Sequence, residues 1–360
     1  MMRRIAGSTV AILVLCAAAF AQQEKISPLS DYQYNKKDYP QYLEIKKEAD
    51  VQKRGNLMLA FIKEHPVSRV LIYAVNDYME CMKPVLDGKD WAKAIAMLES
   101  LSALIPTEKT LQEAGVPAEA QGESGLDDFK RRHVQPAQVL IQRSILAAYY
   151  QSKNLPKAAE AAEKWYAIAP DKAQFFTLAA IYLEMQNFDK YLEYGKKILA
   201  EYPMDQAYQT AIQMAQVYIQ KQDVASATDL FSKVMDVYGD KLPPNQTEAQ
   251  WNPVRAAAYG LIGTGVYGKK EYPKALELFE KVVTFDPKND DAYYYIGMSK
   301  WRSNDAEGAI EPFAKCAVLN KARAKTAQQY LEQIYKARNK DSLDGLDKVL
   351  AKAKTDLGIN

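Results

Sequence analysis

The sequence predicts an all-α protein, an α-solenoid of stacked antiparallel helix pairs following an N-terminal leader. Three observations carry that expectation. From about Leu43 onward apolar residues recur at helical spacing, with Ala, Leu, Lys, Glu and Gln dominating and no alternating strand pattern. A 34-residue offset then maps Tyr259 onto Tyr293, Ile262 onto Ile296, Gly263 onto Gly297, Ala275 onto Ala309 and Phe279 onto Phe313. Finally, helix terminators fall at near-equal intervals, at Pro170, Pro203 and Gly239.

Composition agrees with a folded, chemically plain chain. Its 360 residues are 48% apolar and 26% charged, enough to bury a core. With 16 Gly and 16 Pro it is neither collagen-like nor disordered. Lys plus Arg number 47 against 45 Asp plus Glu, so no basic excess points to nucleic acid. Three Cys and two His leave little material for a disulfide framework or a metal site, and no metal or cofactor is expected. Tyrosine is the outlier, at 24 residues against 10 Phe and 4 Trp.

The elements follow in order. Residues 1–21 read as a secretory signal peptide: Arg3 and Arg4, an apolar centre over 10–20, and the small-x-small site Ala19-Phe20-Ala21, cleaved between Ala21 and Gln22. The apolar run is short of the ~20 residues a spanning helix needs. The expectation is export to the periplasm or beyond, with no membrane span after cleavage. An uncleaved anchor and a lipidated Cys16 are the alternatives, the latter opposed by Leu15 where a small residue belongs. Arg3 and Arg4 account for the whole formal charge of +2. Residues 22–42 read as a flexible leader.

Residues 43–106 carry N-terminal helical units, a weaker one around Met58, Phe61 and Pro66 and a clearer one in which Ala94, Leu98 and Leu101 precede Pro106. Residues 107–138 read as an exposed inserted loop. Three repeats fill 139–239: Ala158, Ala162 and Trp165 before Pro170, Tyr191, Gly195 and Ile198 before Pro203, and Ala227, Phe231 and Val234 before Gly239. A second inserted loop, 240–255, holds Pro243, Pro244 and Trp251. Two repeats occupy 256–323, and 324–360 supplies a capping helix over 324–338 and a tail helix started by Ser342. Asn154, Asn187 and Asn304 are placed to cap second helices, Asp171 and Asp205 to cap first helices.

The spacing has a physical reason. Gly263 and Gly297 permit close helix contact, Ala275 and Ala309 are small where the second helix crosses the first, and Phe279 and Phe313 fill the space one turn later on the same face. Pro287 stops the second helix. An aromatic, a Gly, then Ala-x-x-x-Phe and Pro at these intervals resembles the tetratricopeptide repeat. The resemblance implies a right-handed superhelix whose first helices line an inner face that binds an extended peptide or a partner helix.

The family's inward positions fall here on Arg143, Ala147 and Tyr150; Phe176, Ala180 and Leu183; Ile212, Gln216 and Ile219; Gly260, Thr264 and Tyr267; and Tyr294, Met298 and Trp301. Chaperone-binding members carry Lys and Asn there to clamp a carboxylate. Only Arg143 approaches that pattern, so the clamp is mostly absent. What remains is apolar and aromatic, and the candidate partner-binding residues are Arg143, Tyr150, Phe176, Leu183, Ile212, Ile219, Tyr267, Tyr294, Met298 and Trp301.

Other motifs have plainer readings. Gly263-Thr-Gly265-Val-Tyr-Gly268 spells a dinucleotide fingerprint, but no strand precedes it. His65 and His133 lack partners at metal spacing and are expected at the surface. Cys81 and Cys316 are expected as core thiols. Carboxylates fall in mixed-charge pairs such as Glu160 with Lys164. The expected function is a non-enzymatic scaffold in a bacterial cell envelope that grips a segment of another protein. The alternative is a carrier that binds a small apolar ligand or a glycan chain between repeats and loops.

Overall fold

The computed structural model describes residues 38–114, 116 and 125–359, which are helical and contain no strand. The signal peptide, most of the 22–42 leader and the centre of the first insertion lie outside the described residues. The chain divides into two compact units, one ending at Ile198 and the other beginning at Leu199.

The first unit opens with α1 (Asp38–Lys46), α2 (Val51–Glu64), α3 (Leu71–Cys81), α4 (Lys83–Asp87) and α5 (Trp91–Leu104). Asp50 and Asp90 start α2 and α5 by accepting the backbone N–H groups of Lys53 and Lys93. Met58, Phe61, Ile62, Leu71 and Val75 form the local core, and Ala94, Leu98 and Leu101 are fully buried on α5. Then come α6 (Glu108–Glu113), α7 (Leu126–Phe129), a π-helical turn (Lys130–Val134) and α8 (Gln135–Gln151). α9 (Leu155–Ile168), α10 (Gln174–Glu184) and α11 (Phe188–Glu201) follow, with the unit boundary inside α11.

The expected exposed loop over 107–138 is corrected here. Thr107 caps α6, and Leu111, Leu126, Phe129, His133 and Val134 are buried. Leu126, Phe129 and His133 stand at i, i+3 and i+7, a helical face that the flanking charges conceal. His133 is therefore no surface residue: it is 4% exposed, with its ring 4.9 Å from that of Phe129.

The second unit contains α12 (Met204–Gln220), α13 (Val224–Tyr238), α14 (Glu248–Gly268), α15 (Tyr272–Phe285), α16 (Asp290–Arg302), α17 (Ile310–Val318), α18 (Ala324–Arg338) and α19 (Leu346–Asp356). The two repeats read from the self-similarity are α14–α15 and α16–α17. A Cβ on Gly263 would meet the Phe279 ring at 3.1 Å, and one on Gly297 the Phe313 ring at 2.9 Å. Ala275 and Ala309 have no exposed surface. Small residues and aromatic plugs thus interlock as their spacing requires.

The 240–255 loop is also corrected, in its second half. Thr247 and Gln250 form a reciprocal capping box that begins α14 at Glu248, with Pro253 inside the helix. Trp251, 2% exposed, donates from its indole Nε1 to the Tyr238 carbonyl at 3.1 Å and meets the Tyr208 and Tyr238 rings edge-on. Cap and anchor hold the chain helical across Pro253, whose ring removes one backbone hydrogen bond.

One turn design recurs between first and second helices. Lys153, Gln186, Gln222, Lys270 and Asn304 take φ values from 57° to 65°, and after the first four the second helix begins two residues on, at Leu155, Phe188, Val224 and Tyr272. Asn154, Asn187 and Asp223 accept the backbone N–H three residues on. Asn304 is corrected by one place: it holds the left-handed position, and Asp305 accepts from Gly308 N at 2.8 Å. Asp205 lies in the first turn of α12, with Pro203 at the cap position. Asp171 does not cap α10, whose cap position is Ala173; it accepts from Ala173 N in the turn before the helix. The capping helix spans the expected residues, whereas the tail helix starts at Leu346 after Gly345 (φ 89°), not at Ser342. Cys81 and Cys316 are buried and unbridged. Glu160 pairs with Lys157 at 2.8 Å, not with Lys164.

Candidate functional site: an aromatic row in the second unit

The first helices α14, α16 and α18 of the second unit, with α15 and α17 behind them, gather a continuous row of rings. Tyr267 lies 5.3 Å from Tyr272 and 5.1 Å from Tyr295. Tyr295 stacks on Phe279 at 4.8 Å and meets Tyr294 edge-on at 5.4 Å. Tyr294 reaches Phe313 and Tyr330 at 6.2 and 6.3 Å, and Trp301 closes the row 5.1 Å from Tyr330. Phe279 and Phe313 are buried, so they form the base. Tyr267, Tyr294, Tyr295, Trp301 and Tyr330 are half-buried and keep part of each ring in solvent.

Two guanidinium groups border the row. Arg323 lies 5.0 Å from the Tyr294 ring and 5.8 Å from that of Tyr295, held by an ion pair of 2.7 Å to Asp291. Arg302 lies 5.9 Å from the Trp301 ring and acts on the Tyr267 hydroxyl. Burial pushes Tyr294 up to about 12, with the Arg323 charge opposing it, and burial also raises Tyr267 against the pull of Arg302. These two hydroxyls stay protonated at neutral pH, beside the cations that edge the row.

Of the residues expected from sequence, Tyr267, Tyr294 and Trp301 come together in this row. Met298 is 5% exposed and Ile212 8%, so both belong to packing and offer a partner little surface. Ile219 is half-buried on α12. In the first unit Tyr150 is buried and donates to Glu184 at 2.6 Å, Arg143 covers the Trp165 ring at 5.3 Å, and Phe176 and Leu183 are half-buried on α10. Sequence reasoning missed Tyr295, Tyr330 and Arg323. The 34-residue frame, extended once more, carries Ile262 and Ile296 to Tyr330 and marks α18 as another first helix.

No family model and no curated protein matches this chain. Solved structures do. YrrB, a TPR protein with an unusual peptide-binding site, is 14% identical over 53% of this chain and 92% of its own, with a TM-score of 0.38. MamA 41-end from Desulfovibrio magneticus RS-1 is 16% identical over 57% and 98%, at 0.33. The TPR2AB-domain:pHSP90 complex of yeast Sti1 is 14% identical over 88% and 97%, also at 0.33. Likenesses of this extent say nothing about what this chain binds. Its tetratricopeptide-like fold is read from its own helix pairs.

The remaining motifs find no chemistry here. The Gly263–Gly268 string lies inside α14, where helical hydrogen bonding occupies the N–H groups a pyrophosphate would need. Among the described residues no cluster of His, Cys, Asp or Glu could hold a metal ion, and no helix is long and apolar enough to cross a membrane.

Proposed function

We propose that the protein is a non-enzymatic interaction scaffold that holds a segment of a partner protein against the aromatic row of its second unit. One observation carries this reading: a contiguous set of half-buried rings, supported from beneath by Phe279 and Phe313 and bordered by Arg302 and Arg323. Aromatic and Arg side chains supply much of the energy of protein interfaces because they bury large rigid surfaces at small entropic cost. Rings already fixed by neighbouring rings lose still less freedom on binding. Of the residues named from sequence, Tyr267, Tyr294 and Trp301 act as anchors in this reading.

The signal-like residues 1–21 support a place in a bacterial cell envelope, periplasmic or secreted. Edman sequencing of protein recovered from the envelope fraction tests this, and a mature chain beginning at Gln22 is the expected result. Partner binding is tested with Trp301→Ala and Tyr267→Ala in an in-cell crosslinking pull-down. Both variants should retain wild-type helicity by circular dichroism and lose the crosslinked partner. Undiminished crosslinking in both removes the row as the binding surface.

A further inference from the structure

The first unit contains a cleft of different chemistry, about 290 Å³, between the second helices α5 and α9 with the first helix α8 as its floor. Ile145 and Ala161, both buried, form its apolar base. Its walls are polar: Glu99 and Ser102 from α5, Gln142 and Tyr149 from α8, and Lys157, Glu160 and Lys164 from α9.

The charges in this cleft are already matched. Tyr149 donates to Glu99 at 2.5 Å, and Lys157 donates to Glu160 at 2.8 Å. Lys164 adds a second cation acting on Glu160, and Glu99 acts on Lys157 across the cleft. Two carboxylates and two ammonium groups therefore leave the cleft no net charge to draw an ion. A free anion would meet Glu99 and Glu160, and a free cation would meet Lys157 and Lys164. Hydrogen-bonding capacity is left over. Each carboxylate has unused lone pairs, the ammonium groups have unused donors, and the Gln142 amide has only a 3.5 Å contact to the Ser102 hydroxyl.

A surface that both donates and accepts, carries no net charge and has an aromatic edge at Tyr149 suits a ligand whose every group also does both. We propose that this cleft binds one neutral sugar unit of a glycan chain. Its volume lies at the small end of ligand pockets, which suits a single ring, and its open sides let the rest of a chain pass on. The side chains on its walls are half-buried or exposed, so water competes for every bond and binding is weak, on the order of millimolar.

The experiment titrates full-length protein with cellohexaose, maltohexaose and chitohexaose, each to about 10 mM, and follows backbone amide resonances by NMR. Hexagalacturonate is the charged comparator. The expected result is that at least one neutral sugar moves resonances of α5, α8 and α9, and that Gln142→Ala weakens it about fivefold with helicity unchanged. Ser102→Ala, a smaller change, should weaken it in the same direction. Movement confined to other helices, no movement with any neutral sugar, or binding of hexagalacturonate alone overturns the proposal. The titration needs no protein partner, so its result is independent of the aromatic row.

Discussion

The two units use their many tyrosines in different ways. In the first, tyrosine hydroxyls donate to carboxylates on other helices: Tyr42 to Asp77 at 2.6 Å, Tyr149 to Glu99 at 2.5 Å, Tyr150 to Glu184 at 2.6 Å and Tyr182 to Glu163 at 2.7 Å. In the second, tyrosines meet chiefly through their rings, in the row from Tyr272 to Tyr330. A hydroxyl–carboxylate bond is directional and fixes one helix against one partner. A ring contact tolerates many orientations and leaves part of each face free. The same residue type therefore pins helices in one unit and builds a surface in the other.

The largest test of that contrast removes the base of the surface. Phe313 has no exposed area, touches the Tyr294 and Tyr330 rings, and lies against Gly297. Phe313→Ala should cost ~3–5 kcal/mol. Hydrogen exchange should then quicken in α16–α18 while α8–α10 keep their protection. Equal loss in both units would show that the row is not an independently packed feature. Pressing on the same ring from the other side is milder. Gly297→Ala places its Cβ 2.9 Å from the ring, so the ring or the helix must shift, at ~1–3 kcal/mol in a urea melt.

These packing relations were readable in advance because Gly297, Phe313 and Ala309 repeat Gly263, Phe279 and Ala275, and volume matching needs only residue size and helical spacing. The first insertion was not readable. The buried set Leu126, Phe129 and His133 stands among Asp127, Asp128, Lys130, Arg131 and Arg132, so the local composition looks solvated although one face is not. The start of α14 was hidden by three prolines, because the burial of Trp251 depends on Tyr208 and Tyr238, which no local pattern reveals. The candidate surface was half legible. Tyr294, Met298 and Trp301 stand at i, i+4 and i+7 on one face of α16, so helical spacing alone groups all three. Tertiary packing then divides them: Met298 is buried while Tyr294 and Trp301 stay half-buried in the row.

The hydroxyl pins of the first unit carry a pH signature. Tyr149 is pushed up to about 12, chiefly by its bond to Glu99, while Tyr182 and Tyr42 are raised by burial first and by their carboxylates second. A tyrosine in the unfolded chain titrates near ~10. Above that pH the unfolded state holds fewer protons than the folded one, so stability falls as pH rises. The contribution is complete below ~10 and is lost as pH climbs towards the folded-state values. Tyr182→Phe should cost about 1 kcal/mol at neutral pH, because Glu163 is partly solvated. It should also flatten the loss of α9–α11 protection that sets in above about pH 10. An unchanged slope would show that this hydroxyl is not a pin.

The smallest effect has the opposite sign and separates glycines that packing requires from those it does not. Gly263 and Gly297 face phenylalanine rings, but a Cβ on Gly265 would meet nothing within 4 Å. Gly265 lies in the last turn of α14 but does not take a positive φ, so no left-handed turn demands glycine there. Glycine there leaves the unfolded chain with extra freedom and weakens the helix by ~0.5–1 kcal/mol relative to alanine. Gly265→Ala should therefore raise the midpoint of the second unit's urea transition, while Gly297→Ala lowers it. If Gly265→Ala instead costs stability, the space beside it is filled in solution, and the second unit is more closely packed around α14 than its ring-lined surface implies. If it stabilises but weakens partner crosslinking, the bare backbone of α14 belongs to the binding face beside Tyr267, and the free surface of this unit extends beyond its tyrosines.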